Sequence, residues 1–359
     1  MDQPGAPLVS VVVPAWNAES TIEETLNSVS AQSYGNLEII IVDDGSTDAT
    51  SRLVVAYCER EPRARLISTN NGGVARARNR GIEHATGEWI APIDADDLWH
   101  PTKIEKQVAA ALAAPEPPGF VYCHYHYIDS ESRVVGSRAG WLTNGRAFRQ
   151  LAYENFVGNG SAPLLRRSAV LAAGGYDPSL RDRDAQGCED FLLQLIIASG
   201  SPVAAVDEFL VGYRVGSETM SRDALQMRRS WELVYDTLEK RGIPVAAKIA
   251  RRTLASQMLV FSETSFRAGK FGQAIRLLGR ALWSDPSRSV LNLGYRGCRL
   301  AARLVRGRRR GPDGIPFGSA DSSSYVENDR DSLRRLALMV RQFDERRLSK
   351  LRELDTRRG

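Results

Sequence analysis

Cysteine is scarce in this chain. Four are present in 359 residues, Cys58, Cys123, Cys188 and Cys298, and none forms a CxxC pair. That spacing argues against a disulfide framework or a zinc site and suits reduced thiols in a cytosolic protein. No run approaches the ~18 consecutive apolar residues that a membrane-spanning helix needs. The opening MDQPGAPLVS has neither a basic n-region nor an apolar h-region, so no secretory signal is expected. Three signatures are also missing: GxGxxG after the first strand, GxxxxGK before Ser or Thr, and GxSxG. Their absence argues against a dinucleotide fold, a P-loop enzyme and a hydrolase with a nucleophile elbow.

What is present is an ordinary globular composition, 43% hydrophobic and 25% charged. The net charge of +5 is moderate, and the arginines bunch towards the C-terminus. A chain this long outgrows a single core, so one large domain with an appendage is expected.

The first hundred residues alternate strand and helix. Leu8 to Pro14 is a β-branched apolar run stopped by proline, and Ala18 to Gln32 places Ile22, Leu26 and Val29 at helical spacing. Leu37 to Val42 is a second strand that runs into Asp43 and Asp44. A helix carrying Leu53, Val54 and Tyr57 follows, then a strand over Arg65 to Ser68 and a helix over Val74 to His84. The fourth strand, Trp89 to Ile93, runs straight into Asp94, Asp96 and Asp97. Short connections of this kind imply right-handed crossovers and a mostly parallel sheet with helices on both faces. Parallel strands end on one edge, so two acidic clusters converge on one crevice, where ligands bind in open α/β sheets.

Like charges this close call for a cation. Magnesium or manganese takes one or two carboxylates and completes its shell with phosphate oxygens. The plainer reading of Asp96 and Asp97 is a helix cap before Pro101. His124 and His126 share a face of a strand over Phe120 to Ile128, but no third metal ligand is evident nearby, and ordinary hydrogen-bonded histidines account for them.

Four blocks in order, VSVVVPAWN (Val9 to Asn17), VDDGSTD (Val42 to Asp48), NNGGVARARNRGI (Asn70 to Ile82) and GEWIAPIDADD (Gly87 to Asp97), resemble the successive signatures of glycosyltransferase family 2, of GT-A fold. The resemblance covers roughly Leu8 to Arg222. It implies an inverting transferase that uses a nucleoside-diphosphate sugar, by family habit a UDP-sugar, with Mg²⁺ or Mn²⁺. Pro14, Asn17 and Glu19 then lie where the family meets the nucleotide. Asp43 resembles the carboxylate that reads the pyrimidine, with Asp44 beside it. Asp94 matches the ribose-side carboxylate and Asp96 the metal ligand, while Asp97 is expected to cap or support. Arg76 and Arg78 are candidates for the nucleotide phosphates, against the alternative of a solvated helix face.

GGYDPSL…EDF, within Gly174 to Ala198, is similar to the family's GGFD…ED motif, in which the aspartate of ED is the general base. That makes Asp190 the expected base, ahead of Glu189 and of Asp182 and Asp184. The alternative is that these acids complement a helix dipole, an effect typically below ~1 kcal/mol. Phe209 to Ser221 resembles the family's closing segment, with Arg214 as a phosphate contact. Many relatives carry a metal-binding histidine two residues after that arginine, and here the position is Gly216.

Beyond a catalytic domain over residues 1–240, a helical region is expected over 241–310, with one tetratricopeptide-like hairpin (Thr253 to Pro286) and a basic helix. A linker over 311–330 and an amphipathic basic helix over 331–359 complete the chain. The cluster from Arg299 to Arg310 reads either as a solvated face or as a contact for anionic lipid. The C-terminal helices are also candidates for self-association. The combined expectation is a cytoplasmic enzyme, either soluble or peripheral on the inner face of the cell membrane, that moves a sugar to a hydroxyl on a glycan, a lipid-linked sugar or a glycosylated protein. No nucleic-acid partner is expected. Two rivals are a non-catalytic nucleotide- or glycan-binding scaffold, which a donor-hydrolysis assay would separate, and a nucleotidyltransferase. The latter would want a glycine-rich, lysine-containing loop where this chain has PAWNAES.

Overall fold

The computed structural model describes residues 5–216 except 186, 224–290 except 268 and 288, and the short stretches 293–294, 315–317, 322, 346–347, 349–351 and 353–354. The elements run β1 (Val9–Ala15), α1 (Ile22–Ser30), β2 (Leu37–Asp43), α2 (Thr50–Arg60), β3 (Ala64–Ser68), α3 (Val74–His84), β4 (Trp89–Pro92) and β5 (Leu98–Trp99). Then come α4 (Lys103–Ala113), β6 (Phe120–Ile128), β7 (Val134–Arg138), α5 (Phe148–Tyr153), β8 (Leu164–Arg166), α6 (Arg167–Ala173), α7 (Ser179–Asp182), α8 (Glu189–Gly200) and β9 (Val203–Arg214). Three long helices follow, α9 (Ala224–Lys240), α10 (Ala247–Arg267) and α11 (Phe271–Ser284).

The strands form one nine-stranded sheet in the order β3-β2-β1-β4-β8-β6-β9-β5, with β7 paired to β6. Strands β1 to β4 are parallel, and β1, β2 and β4 are buried on both faces, as is usual of parallel strands. The second half is mixed: β8 is antiparallel to β4 and to β6, while β6 and β9 run parallel. The expected parallel order therefore holds for the first half of the sheet. Beyond β4 the strands are short or bulged, and their pairing is set by partners distant in the chain.

Helix α3 lies tight on β1. A Cβ on Gly81 would come within 2.4 Å of Val12 Cγ1, so only glycine permits this approach. At the opposite edge of the sheet from the acidic turns, buried Glu38 accepts from Ser10 Oγ (2.5 Å), Thr86 N (2.7 Å) and Arg65 (2.7 Å). Burial works against the charged form of Glu38, but these hydrogen bonds outweigh it and hold the pKa at about 2.

The helical region shares the core of the sheet domain. Ile249, Met258, Leu259, Phe261, Leu277 and Ala281 belong to the same buried cluster as β1 to β4. Thr253 Oγ1 donates to the carbonyls of Ala152 and Tyr153, both at 2.8 Å. The linker expected over 311–330 contains a docked piece. Phe317 is buried with Leu98, Ile128 and Val134, and Val134 N donates to Ile315 O at 3.0 Å. The apolar Phe317 explains it, a single hydrophobic anchor among Gly and Ser. The basic run Arg299 to Arg310, Cys298 and most of the tail helix lie outside the described residues. Cys58, Cys123 and Cys188 are free thiols. No helix among the described residues is long and apolar enough to cross a membrane.

Candidate active site

Strand register puts the two acidic turns side by side. Asp43 pairs with Ala15 across β2 and β1, and Pro92 with Val12 across β4 and β1. Asp43 and Asp94 therefore leave the same edge of the sheet, separated by two strand spacings, roughly 10 Å.

The turn after β4 is held from several sides. Asp97 is fully buried; its Oδ2 accepts from Ser161 Oγ at 2.5 Å and its Oδ1 from Arg214 N at 2.9 Å. Ser161 Oγ in turn accepts from Asp94 N at 3.0 Å. On the other side Thr25 Oγ1 donates to the carbonyls of Ala95 and Asp97, and Thr21 Oγ1 to that of Ala95. Asp97 thus builds the turn. Burial, with Asp96 and Asp94 next to it, pushes its pKa well up. Asp96 is only partly buried, and burial and Asp94 push its pKa up to about 6. No other residue bonds its carboxylate among the described residues.

Arg78 is the hub. The residue is 3% exposed, and its guanidinium donates to Asp94 at 2.5 Å and Glu189 at 3.1 Å and lies over the Tyr176 ring at 5.1 Å. Gly160 makes room for it, since a Cβ there would stand 2.9 Å from Arg78 Nη2. Burial alone would lower the pKa of Arg78, but Asp94, Tyr176 and Glu189 raise it, and it stays charged. One cation thereby ties the turn after β4 to the start of α8.

At that start the two acids divide. Glu189 is buried and occupied, with Oε1 on Arg78 and Oε2 on Gly187 N at 2.8 Å. Among the described residues Asp190 accepts only from Phe191 N, at 2.7 Å, and it is partly exposed. Burial and the adjacent Glu189 charge push its pKa up to about 7, with Arg78 pulling the other way. Asp182 is taken by Arg76 at 3.0 Å on the surface, and Asp184 is exposed.

Other expected donor contacts have protein partners here. Asp43 is buried, with Oδ1 accepting from Ser46 N at 3.0 Å and Oδ2 without a partner among the described residues. Asp44 instead holds the start of α3, accepting from Gly72 N at 2.8 Å and Gly73 N at 2.7 Å. Asn17 and Glu19 brace the β2–α2 loop through Thr47 N (2.8 Å) and Ala49 N (2.9 Å). Pro14 lies within β1, one residue before its end, paired with Val42 of β2. Arg76 bonds Gly72 O and Asp182. Arg214, expected on phosphate, is buried and bound to Asp96 O, Asp129 O, Ser132 and Glu24, so its charge is spent on the framework. Asp129 and Ser132 lie on a polar loop that reaches α1 through Ser132 and Glu24.

The histidines of β6 have protein partners. His124 bonds Asp207 at 3.0 Å; His126 bonds Ser137 at 2.7 Å and stacks on Phe209 at 4.6 Å. Burial lowers the His126 pKa to about 4. No three His, Cys, Asp or Glu side chains converge on a closed metal site among the described residues. A single open carboxylate, Asp96, is nevertheless a donor set compatible with a magnesium or manganese ion that draws its remaining ligands from a diphosphate and water.

A nine-stranded sheet with acidic turns on its parallel edge and a helical C-terminal region is the GT-A type of fold. Residues 10–172 match the model of the family described as Glycosyl transferase family 2. An uncharacterized glycosyltransferase of Rickettsia conorii is 32% identical over 213 residues, 59% of this chain and 33% of its own length. The chain thus spans about a third of the length of the first curated relatives it matches. The Escherichia coli UDP-Glc:alpha-D-GlcNAc-diphosphoundecaprenol beta-1,3-glucosyltransferase WfgD is 28% identical over 239 residues, 65% of this chain and 87% of its own. Among solved structures, S. aureus TarS 1–349 in complex with UDP-GlcNAc superposes with a TM-score of 0.54 at 20% identity, covering 79% of this chain and 82% of that one. The mannosyltransferase PcManGT of Pyrobaculum calidifontis, in complex with GDP-Man and Mn2+, gives 0.51 at 22%, covering 86% and 83%.

Proposed function

We propose that the chain, through a catalytic unit over residues 1–240, moves a sugar with inversion from a nucleoside-diphosphate donor, a UDP-sugar, to a hydroxyl of a cell-surface glycan or lipid-linked sugar. The observation that carries this reading is the Arg78 bridge between Asp94, in the acidic turn that would receive the donor, and Glu189, the neighbour of Asp190. Support also comes from the WfgD relative, whose name specifies a UDP-sugar and a diphosphoundecaprenol-linked acceptor, and from neighbours of this fold that hold UDP-GlcNAc or GDP-Man.

In this mechanism the free Oδ2 of Asp43 accepts hydrogen bonds from the base, and Asp94, steadied by Arg78, faces the ribose. Asp96 would hold a divalent cation, which when bound neutralises charge on the departing diphosphate. Asp190 takes the proton of the acceptor hydroxyl as that oxygen attacks the anomeric carbon from the face opposite the diphosphate. Glu189 is already engaged by Arg78 and Gly187, so it keeps Asp190 basic and leaves proton transfer to it.

Calorimetry with a panel of nucleotides, with and without Mn²⁺, tests the donor side. Metal-dependent binding of a uridine diphosphate is expected, and Asp96→Ala should lose the metal dependence. Equal affinity in wild type and variant would remove Asp96 from the site.

A further inference from the structure

Helix α11 is apolar on two sides. Ala274, Leu277 and Ala281 are buried on one of them, and α11 packs against α10. On the outward side Phe271, Ile275 and Trp283 are 56%, 69% and 90% exposed, at four-residue spacing with Gly279 filling the gap. An ideal Cβ on Gly272 or Gly279 would meet nothing within 4 Å, so the stripe is open along its length. Phe266, itself 60% exposed, extends it by standing edge-on to Phe271 at 5.2 Å. A helix of a soluble protein normally turns charge outward at these positions.

The charge beside this stripe has one sign. Between Glu263 and Asp285 the chain carries Arg267, Lys270, Arg276 and Arg280 and no acid. Lys270, Arg276 and Arg280 are exposed. Asp285, the next acid, is buried and paired with Arg347 at 3.0 Å.

We propose that this face of α11 seats on an anionic lipid surface, with Phe271, Ile275 and Trp283 entering the headgroup boundary and Arg276 and Arg280 meeting lipid phosphates. Aromatic and aliphatic residues flanked by cations, on a helix too short and too polar to cross, are the composition of an interfacial element. Pairing with a second copy is disfavoured by charge. A twofold contact through the same stripe would set Arg276 and Arg280 of one copy against those of the other. The proposal is independent of the transfer reaction, and donor turnover in solution does not bear on it.

The test is flotation of the full chain with vesicles of phosphatidylcholine alone or with a quarter phosphatidylglycerol, at low and high salt. Wild type should float only with the anionic vesicles and less at high salt. Ile275→Ser with Trp283→Ser should weaken binding tenfold or more. Arg276→Gln with Arg280→Gln should weaken it about fivefold per charge removed. Both pairs are exposed, so the thermal midpoint should not move; Trp283→Phe, milder still, should diminish any blue shift of tryptophan fluorescence on binding. Wild type that does not float, or variants that float like wild type, would overturn the proposal. So would a wild-type oligomer, seen by light scattering without vesicles, that Ile275→Ser with Trp283→Ser turns into a monomer.

Discussion

Arg78 is the residue on which the proposed chemistry turns, and its environment says what its loss would do. Arg78→Met leaves Asp94 and Glu189 buried or half-buried without their counter-charge. Removing one partner of such a pair typically costs ~3–5 kcal/mol, so urea denaturation should show a loss of that size. Asp190 carries a second prediction. Burial and Glu189 oppose its ionisation, and only the carboxylate can accept a proton, so kcat/KM should rise with pH through about 7. Glu189→Gln removes a charge that raises this pKa and also frees Arg78 to lower it. The rising limb should therefore move to lower pH, and a limb unmoved or moved upward would separate it from Asp190.

At the level of elements, α3 shows how packing overrides propensity. Alanine is the better helix former by ~1 kcal/mol, yet Gly81→Ala should destabilise by ~1–3 kcal/mol because the methyl group meets Val12. A stabilised variant in thermal melting would contradict the close approach. The parallel strands β1 to β4 and helix α3 were legible from sequence, since buried β-branched runs and helical spacing are strong local signals. Strand β9 was visible only from Phe209, whereas it begins at Val203. Its first half carries Asp207 and Glu208, and its register with β6 is broken by bulges at His124. Short β5 and β8 exist only through distant partners. The acidic turns announced themselves, but their supports, Ser161, Thr21 and Thr25, did not, because a hydroxyl in a loop or on a helix carries no signal of what it bonds. Arg78 could be named as a candidate and not as a hub, because only the fold reveals that it is buried.

On the scale of the whole molecule, the helices after β9 and the sheet domain share one core, and unfolding should be a single cooperative transition. Two resolved calorimetric peaks would mean that the hairpin is a separate unit. Acid stability should depend on Glu38. Its pKa is 4.5 in its ordinary state and about 2 in the fold, so the stability it contributes is present above pH 4.5 and lost as the pH falls towards 2. Glu38→Gln should flatten that part of the stability profile while lowering stability at neutral pH. A measured profile with the same acid limb in both proteins would rule out this role.

In the proposed reading Arg78 stands between a donor edge at Asp94 and a proton acceptor at Asp190. This arrangement is tested most directly by comparing wild type and Asp190→Asn for sugar transfer and for donor affinity in the same buffer. The account predicts a loss of ~10²–10⁴ in turnover with donor affinity nearly unchanged. A variant that keeps more than about a tenth of the wild-type rate, well short of the loss a general base supplies, or that loses donor binding along with turnover, would contradict it.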